Sequence, residues 1–101
     1  MILVLTTTDK KSLAQKISNA LLKEKLIACC SILPMESSYW WKGKVVNAKE
    51  FQLFLKTKPE NFEEIEKIIK KLHTYELPEI ISINIENAGK DYLTWIDSEI
   101  G

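Results

Sequence analysis

The sequence predicts an α+β domain with two helices on one face of an antiparallel sheet, and three observations predict it. Stretches with apolar period two alternate with stretches of helical period in the order strand, helix, strand, strand, helix, strand, followed by a last short helix. A Lys42-Gly43 pair separates two long β-rich runs, as the tip of a hairpin does. Proline or glycine stands where the later elements begin or end. At 101 residues the chain fits one domain, residues 1–101, able to bury a modest core.

Each element has its own local reason. Residues 2–8, "ILVLTTT", are aliphatic and β-branched, which suits a buried first strand. Thr8 or Asp9 offers a side-chain oxygen to cap a helix carrying Leu13, Ile17, Ala20 and Leu21 at helical spacing to about residue 25. A second strand runs from Ile27 to Trp41. Pro34 cannot donate a ladder hydrogen bond, so it demands a bulge or an edge position, and a bulge is the expectation. The return strand covers 44–57, where Phe51, Leu53 and Leu55 alternate with Gln52, Phe54 and Lys56.

Pro59 suits the first turn of a second helix, in which Glu60, Glu63 and Glu64 lead and Lys67, Lys70 and Lys71 follow, matching the macrodipole at both ends. Pro78 pushes Leu77 out of helical angles, so this helix stops near His73. "EIISINIE" alternates as a fourth strand, and Gly89 opens a short helix bearing Tyr92, Leu93, Trp95 and Ile96. The order βαββαβ is that of the ferredoxin-like sandwich.

Composition removes several functions. Fourteen cationic residues balance fourteen acids, so no global field draws the chain to nucleic acid or an anionic membrane. All the cations are lysine, and without arginine or a glycine-rich loop the phosphate cradle of an acylphosphatase-type enzyme has no material. An RNA-binding sheet lacks its basic and glycine-bearing recognition run. No apolar run approaches the ~20 residues that span a bilayer, and no basic leader precedes the first strand, so the expected location is the cytoplasm. Cys29 and Cys30 are adjacent, point to opposite faces if in a strand, and are expected as reduced thiols.

The hairpin is the anomaly. Strands of about fourteen residues exceed the usual five or six, so the tip should overhang and present Tyr39, Trp40 and Trp41. An exposed aromatic hairpin of this length calls for association, and closed symmetry between copies of the chain satisfies it without fibres.

"LIACCSI", "SSYWWKGKV", "LFLKT", "LHTYELPEI" and "DYLTWI", in this order over residues 3–97, resemble the CutA family of divalent-cation tolerance proteins. The resemblance implies a ferredoxin-like homotrimer with clefts between subunits and no firmly attached catalytic reaction. It implies a link to metal tolerance, with copper or a similar divalent ion as a candidate ligand and no required cofactor. Cys29 matches the family's cysteine block; Tyr39, Trp41 and Gly43 its hairpin block; Glu50, Lys56 and Thr57 its return strand. His73, Tyr75, Pro78 and Glu79 match its turn, and Tyr92 and Trp95 its terminal helix. Thr74, Ser31 and Leu5 depart from it, the last standing where some members carry another cysteine.

The candidate metal ligands are therefore Cys29, a soft thiolate, and His73, an imidazole suited to copper or zinc. Two ligands are short of the usual four, so carboxylates such as Glu76 or Glu79, or symmetry copies, must complete a shell. The candidate cleft residues are Tyr39, Trp41, Glu50, Lys56, Tyr75, Glu76, Glu79 and Trp95. A structural reading stands beside the metal one: His73 ends the helix, and Tyr75 and Pro78 route the chain onward. A continuous hairpin register would set Cys29 across from Lys56, whereas a bulge at Pro34 would separate them. The rival functions are a scaffold trimer that anchors another protein and, less favoured, an acylphosphatase-like enzyme. No catalytic residues are assigned.

Overall fold

The structure, a computed structural model, describes residues 1–101. Its elements are β1 (Ile2–Thr8), α1 (Lys11–Lys23), β2 (Cys29–Trp41), β3 (Lys44–Thr57), a 3-10 turn (Pro59–Asn61) leading into α2 (Phe62–Leu72), β4 (Ile81–Asn84) and α3 (Lys90–Glu99). The sheet order is β2-β3-β1-β4 with every neighbour antiparallel, the expected ferredoxin-like sandwich.

One face of the sheet holds the core. Val4, Leu53 and Leu55 point toward α1 and α2, which contribute Ala14, Ile17, Leu21, Ile65 and Ile69 to the same buried cluster. Each fully buried aliphatic side chain there contributes about 1.5–3 kcal/mol. Thr6, Thr8 and Thr57 also turn inward and are fully buried. The Thr57 hydroxyl donates to the Leu26 carbonyl (2.5 Å), tying the end of β3 to the α1–β2 connection.

Local predictions fail at three points, each for an identifiable reason. No bulge forms at Pro34: the register runs unbroken from Cys29↔Lys56 through Pro34↔Phe51 to Trp41↔Lys44. Since β2 is an edge strand, the missing N–H of Pro34 need not interrupt a ladder, and the edge tolerates what a central strand would not. The cap expected from Thr8 or Asp9 is absent: Lys10 occupies the N-cap with no side-chain bond, and the Thr8 hydroxyl donates to the Lys10 carbonyl (2.9 Å). At the other end Lys25 takes φ 55°, a left-handed angle that stops α1 before residue 25. Finally, β4 is only four residues long and all four are exposed, so its alternation has no covering layer on either side within the protomer.

The overhang is present. β1 pairs with β3 only from Phe51 to Thr57, so residues 44–50 and their β2 partners project beyond the three-element body, a reach of about 24 Å. The radius of gyration, 14.1 Å, exceeds the ~13 Å of a compact 100-residue domain, as a projecting arm requires. Lys42 (φ 51°) and Gly43 (φ 79°) turn the hairpin, both with the positive φ that a two-residue type I′ connection demands.

Candidate functional site

The alternation of the long strands assigns side chains to the two faces. On the face away from the helices, β2 presents Cys29, Ser31, Leu33, Met35, Ser37, Tyr39 and Trp41, and β3 presents Ala48, Glu50, Gln52, Phe54 and Lys56. Glu50, Tyr39 and Trp41 thus share the open face with Cys29 and Lys56, but at its opposite end.

Where β1 stops, the segment after α2 takes its place beside the hairpin. This strap, residues 73–80, is pinned at two points. The His73 Nε2–H donates to the Thr7 carbonyl at 2.6 Å, and the Tyr75 backbone N–H donates to His73 Nδ1 at 3.0 Å. A carbonyl can only accept and an amide N–H only donate, so these two bonds define the Nε2–H tautomer and commit both ring nitrogens. The His73 and Tyr75 rings lie 4.6 Å apart between centroids. The Tyr75 hydroxyl then donates to Glu50 Oε2 at 2.7 Å. Burial first, and the bond to the Glu50 carboxylate second, push the Tyr75 phenol well above its ordinary range.

Between hairpin and strap lies an open cleft of about 980 Å³. It gathers six of the predicted cleft residues: Tyr39, Trp41, Glu50, Tyr75, Glu76 and Glu79. No lysine and no histidine lines it. Glu50 is its least accessible acid, only 5% exposed.

The other predicted residues lie elsewhere. Cys29 pairs with Lys56 as a continuous register requires, and the Lys56 ammonium donates to the Tyr92 hydroxyl at 3.1 Å, which holds the lysine protonated to higher pH. Trp95, 42% exposed, stacks at 5.6 Å from Tyr92 on α3, away from the cleft. Lys56 sits level with Leu3 of β1 while His73 reaches Thr7, so Cys29 and His73 are separated by about 13 Å along the strand direction. They do not meet within one protomer. No three His, Cys, Asp or Glu side chains of one chain converge to hold a metal ion. With both imidazole nitrogens already bonded, His73 does not fit a ligand role without giving up the strap.

Sequence reasoning missed the burial of Glu50 and its bond to Tyr75, because the partners stand 25 residues apart and only the strap's path unites them. It also missed Thr7, Leu77, Ile80 and Ile81 as cleft lining. Glu50 shares its face of β3 with Gln52 and Lys56, so no local pattern singles it out.

The arrangement of these elements is shared with known proteins. The family profile described as CutA1 divalent ion tolerance protein matches residues 2–99. The chain belongs to this family. It is 41% identical over 99 residues to the divalent-cation tolerance protein CutA of Pyrococcus horikoshii, covering 98% of this chain and 97% of the relative. To the protein of the same name from Thermotoga maritima it is 37% identical over 100 residues, covering 99% of each chain. Among solved structures, the periplasmic divalent cation tolerance protein CutA from Archaeoglobus fulgidus superposes with a TM-score of 0.97 at 37% identity, covering 100% of both chains. The expectation of a cytoplasmic location is thereby corrected: a family member this similar along its entire length is described as periplasmic. Composition does not distinguish two aqueous compartments. No helix of this chain is long and apolar enough to cross a membrane.

Proposed function

We propose that the chain acts without catalysis, as a homotrimer, in tolerance to divalent cations, receiving a copper-like ion or a small ligand at clefts between its copies. The observation that supports this reading is the seven-residue overhang of the hairpin beyond β1. The sheet order leaves open edges on β2 and on the short β4, and the overhang carries an aromatic tip with Trp40 74% exposed. Sheet edges of this kind are completed by further strands, and identical chains supply them with closed symmetry. Relatives carry the name divalent-cation tolerance protein, and the cleft, lined by Glu50, Glu76 and Glu79 without any lysine, has the charge to favour a cation.

For a copper-like ion the soft donor is Cys29, half-buried on the open face. In a metal-bound trimer its remaining ligands come from other copies, because one chain offers no converging set; His73 joins only if its bond to Thr7 is released.

Light scattering on the purified protein is expected to give three times the 11.7 kDa chain mass, and calorimetric titration with copper(II) to show binding that Cys29→Ser weakens. A folded monomer that takes up neither copper nor zinc would overturn the reading.

A further inference from the structure

Residues 73–80 are fastened differently from what precedes and follows them. α2 is closed by its own backbone, with a bond from the His73 N–H to the Ile69 carbonyl (2.8 Å), and β4 is laddered to β1 from Ile81 onward. Between these anchors residues 74–80 enter no backbone-to-backbone hydrogen bond of the chain, and Pro78 has no N–H to offer one. Side chains fasten the segment instead: His73 ties its start to the Thr7 carbonyl, and the Tyr75 hydroxyl ties it to Glu50 at 2.7 Å. Leu72 and Ile80, at its ends, pack against the core, whereas Leu77 between them is 73% exposed.

The two ties differ in what their loss would release. His73 stands next to α2, so its bond to Thr7 survives a swing of the residues beyond it. The Tyr75 hydroxyl alone carries a hydrogen bond from the strap across to the hairpin, and it lands on the carboxylate that the strap encloses. Glu50 is 5% exposed and lies just past the last β1–β3 pair, Thr8↔Phe51. An opening that breaks one hydrogen bond and few apolar contacts costs far less than unfolding the sheet. It would set water in place of Tyr75 at Glu50 and withdraw residues 74–80 from their side of the cleft.

We propose that the 73–80 strap is a gate that pivots at His73 and Ile81, with the Tyr75–Glu50 hydrogen bond as its latch, and that its opening presents the Glu50 carboxylate to solutes that the closed strap keeps out. The device rests on bonds within one chain and needs no bound ion. Tyr75 has a double part: its hydroxyl is the latch, and its ring covers the acid.

The test labels the carboxylates of the purified protein, in its native oligomeric state, with a water-soluble carbodiimide and glycinamide. Peptide mass spectrometry reads each residue at several urea concentrations below the unfolding transition. Glu76 and Glu79, both exposed, serve as internal references. Glu50 is expected to label at least about tenfold more slowly than these two, at a rate that hardly changes with urea, because the opening exposes little surface. Tyr75→Phe, which removes the latch, should speed Glu50 labelling about tenfold. Tyr75→Ala, which removes the cover as well, should bring it within about threefold of the references. Hydrogen exchange of the strap amides should show the same urea-insensitive opening, while the amides of β1 and β3 exchange by a urea-sensitive route.

Labelling of Glu50 as fast as that of Glu76 in the unaltered protein would overturn the proposal, because the gate would not be shut. So would labelling that climbs with urea in step with exchange of the β1 and β3 amides, which would mean that Glu50 is reached only by unfolding. An unchanged rate in Tyr75→Phe would remove the latch. Labelling that stays slow in Tyr75→Ala, with circular dichroism unchanged, would overturn the gate by showing that a neighbouring copy or another segment covers the carboxylate. If Tyr75→Ala does not fold, the urea series and Tyr75→Phe decide.

Discussion

The two ends of the open sheet face carry similar chemistry in different settings. At one end the Glu50 carboxylate accepts a hydrogen bond from Tyr75, and at the other the Lys56 ammonium donates one to Tyr92. Both pair a charged β3 residue with a phenol from a later segment. The first bond is part-buried and belongs to a strap that His73 also fastens to Thr7; the second is exposed and tethers α3. A polar group removed from water depends on its partner, whereas one left in water exchanges its partner for solvent at little net cost. Enclosure, more than residue type, therefore makes the Glu50 end the better candidate site.

The largest expected effect comes from breaking the enclosed end. Tyr75→Phe removes the donor and leaves a buried carboxylate under-satisfied, so unfolding by urea should show a loss of about 1–3 kcal/mol. A double-mutant cycle with Glu50→Ala, which removes the acceptor, should show coupling between the two positions. The same bond has a pH signature. Because Tyr75 holds its proton more tightly in the folded than in the unfolded chain, its contribution to stability is complete below about pH 10 and is lost as pH climbs through the raised folded value. Tyrosinate absorbance of the native protein at about pH 11 should accordingly fall short of that of the unfolded protein, and Tyr75→Phe should abolish most of the shortfall.

A middle-sized effect separates the hairpin from the strap. Gly43 has φ 79° and open space around the position of a side chain, so Gly43→Ala meets only backbone strain and should destabilise by about 1 kcal/mol. If the protein has the mass of the proposed trimer and keeps it after this change, the arm's pairing rather than its turn holds the assembly; a drop to monomer would move that role to the tip.

The smallest effect belongs to the open end. Tyr92→Phe removes the bond to Lys56, yet solvent replaces it, and the change in stability should stay within about 0.5 kcal/mol. A loss as large as that of Tyr75→Phe would erase the contrast between the two ends and show that α3 is a structural clasp.

Much of this was legible in the residues. β1 covers the aliphatic and β-branched run at 2–8, β3 runs from the Lys42-Gly43 tip to Thr57, and α2 lies between Pro59 and His73 as its charge gradient and Pro78 require. These are local properties: side-chain period, proline geometry and dipole complementarity act over a few residues and are written in order. Pro34 was misjudged for the opposite reason, since whether it must bulge depends on β2 having no outer neighbour, which is a property of the sheet order. The cap of α1 failed similarly: Thr8 is drawn inward by the core layer.

By itself, then, the amino-acid order determined the six-element sandwich, the excess length of its hairpin and the stock of residues at the cleft. Tertiary structure alone decided that Glu50 is enclosed while Lys56 is not, that Tyr75 reaches the first and Tyr92 the second, and that His73 spends both nitrogens on the strap. The reason is distance along the chain: burial and hydrogen bonding at these groups depend on segments 25 to 66 residues away, and no local pattern records which of several polar residues a returning loop will cover.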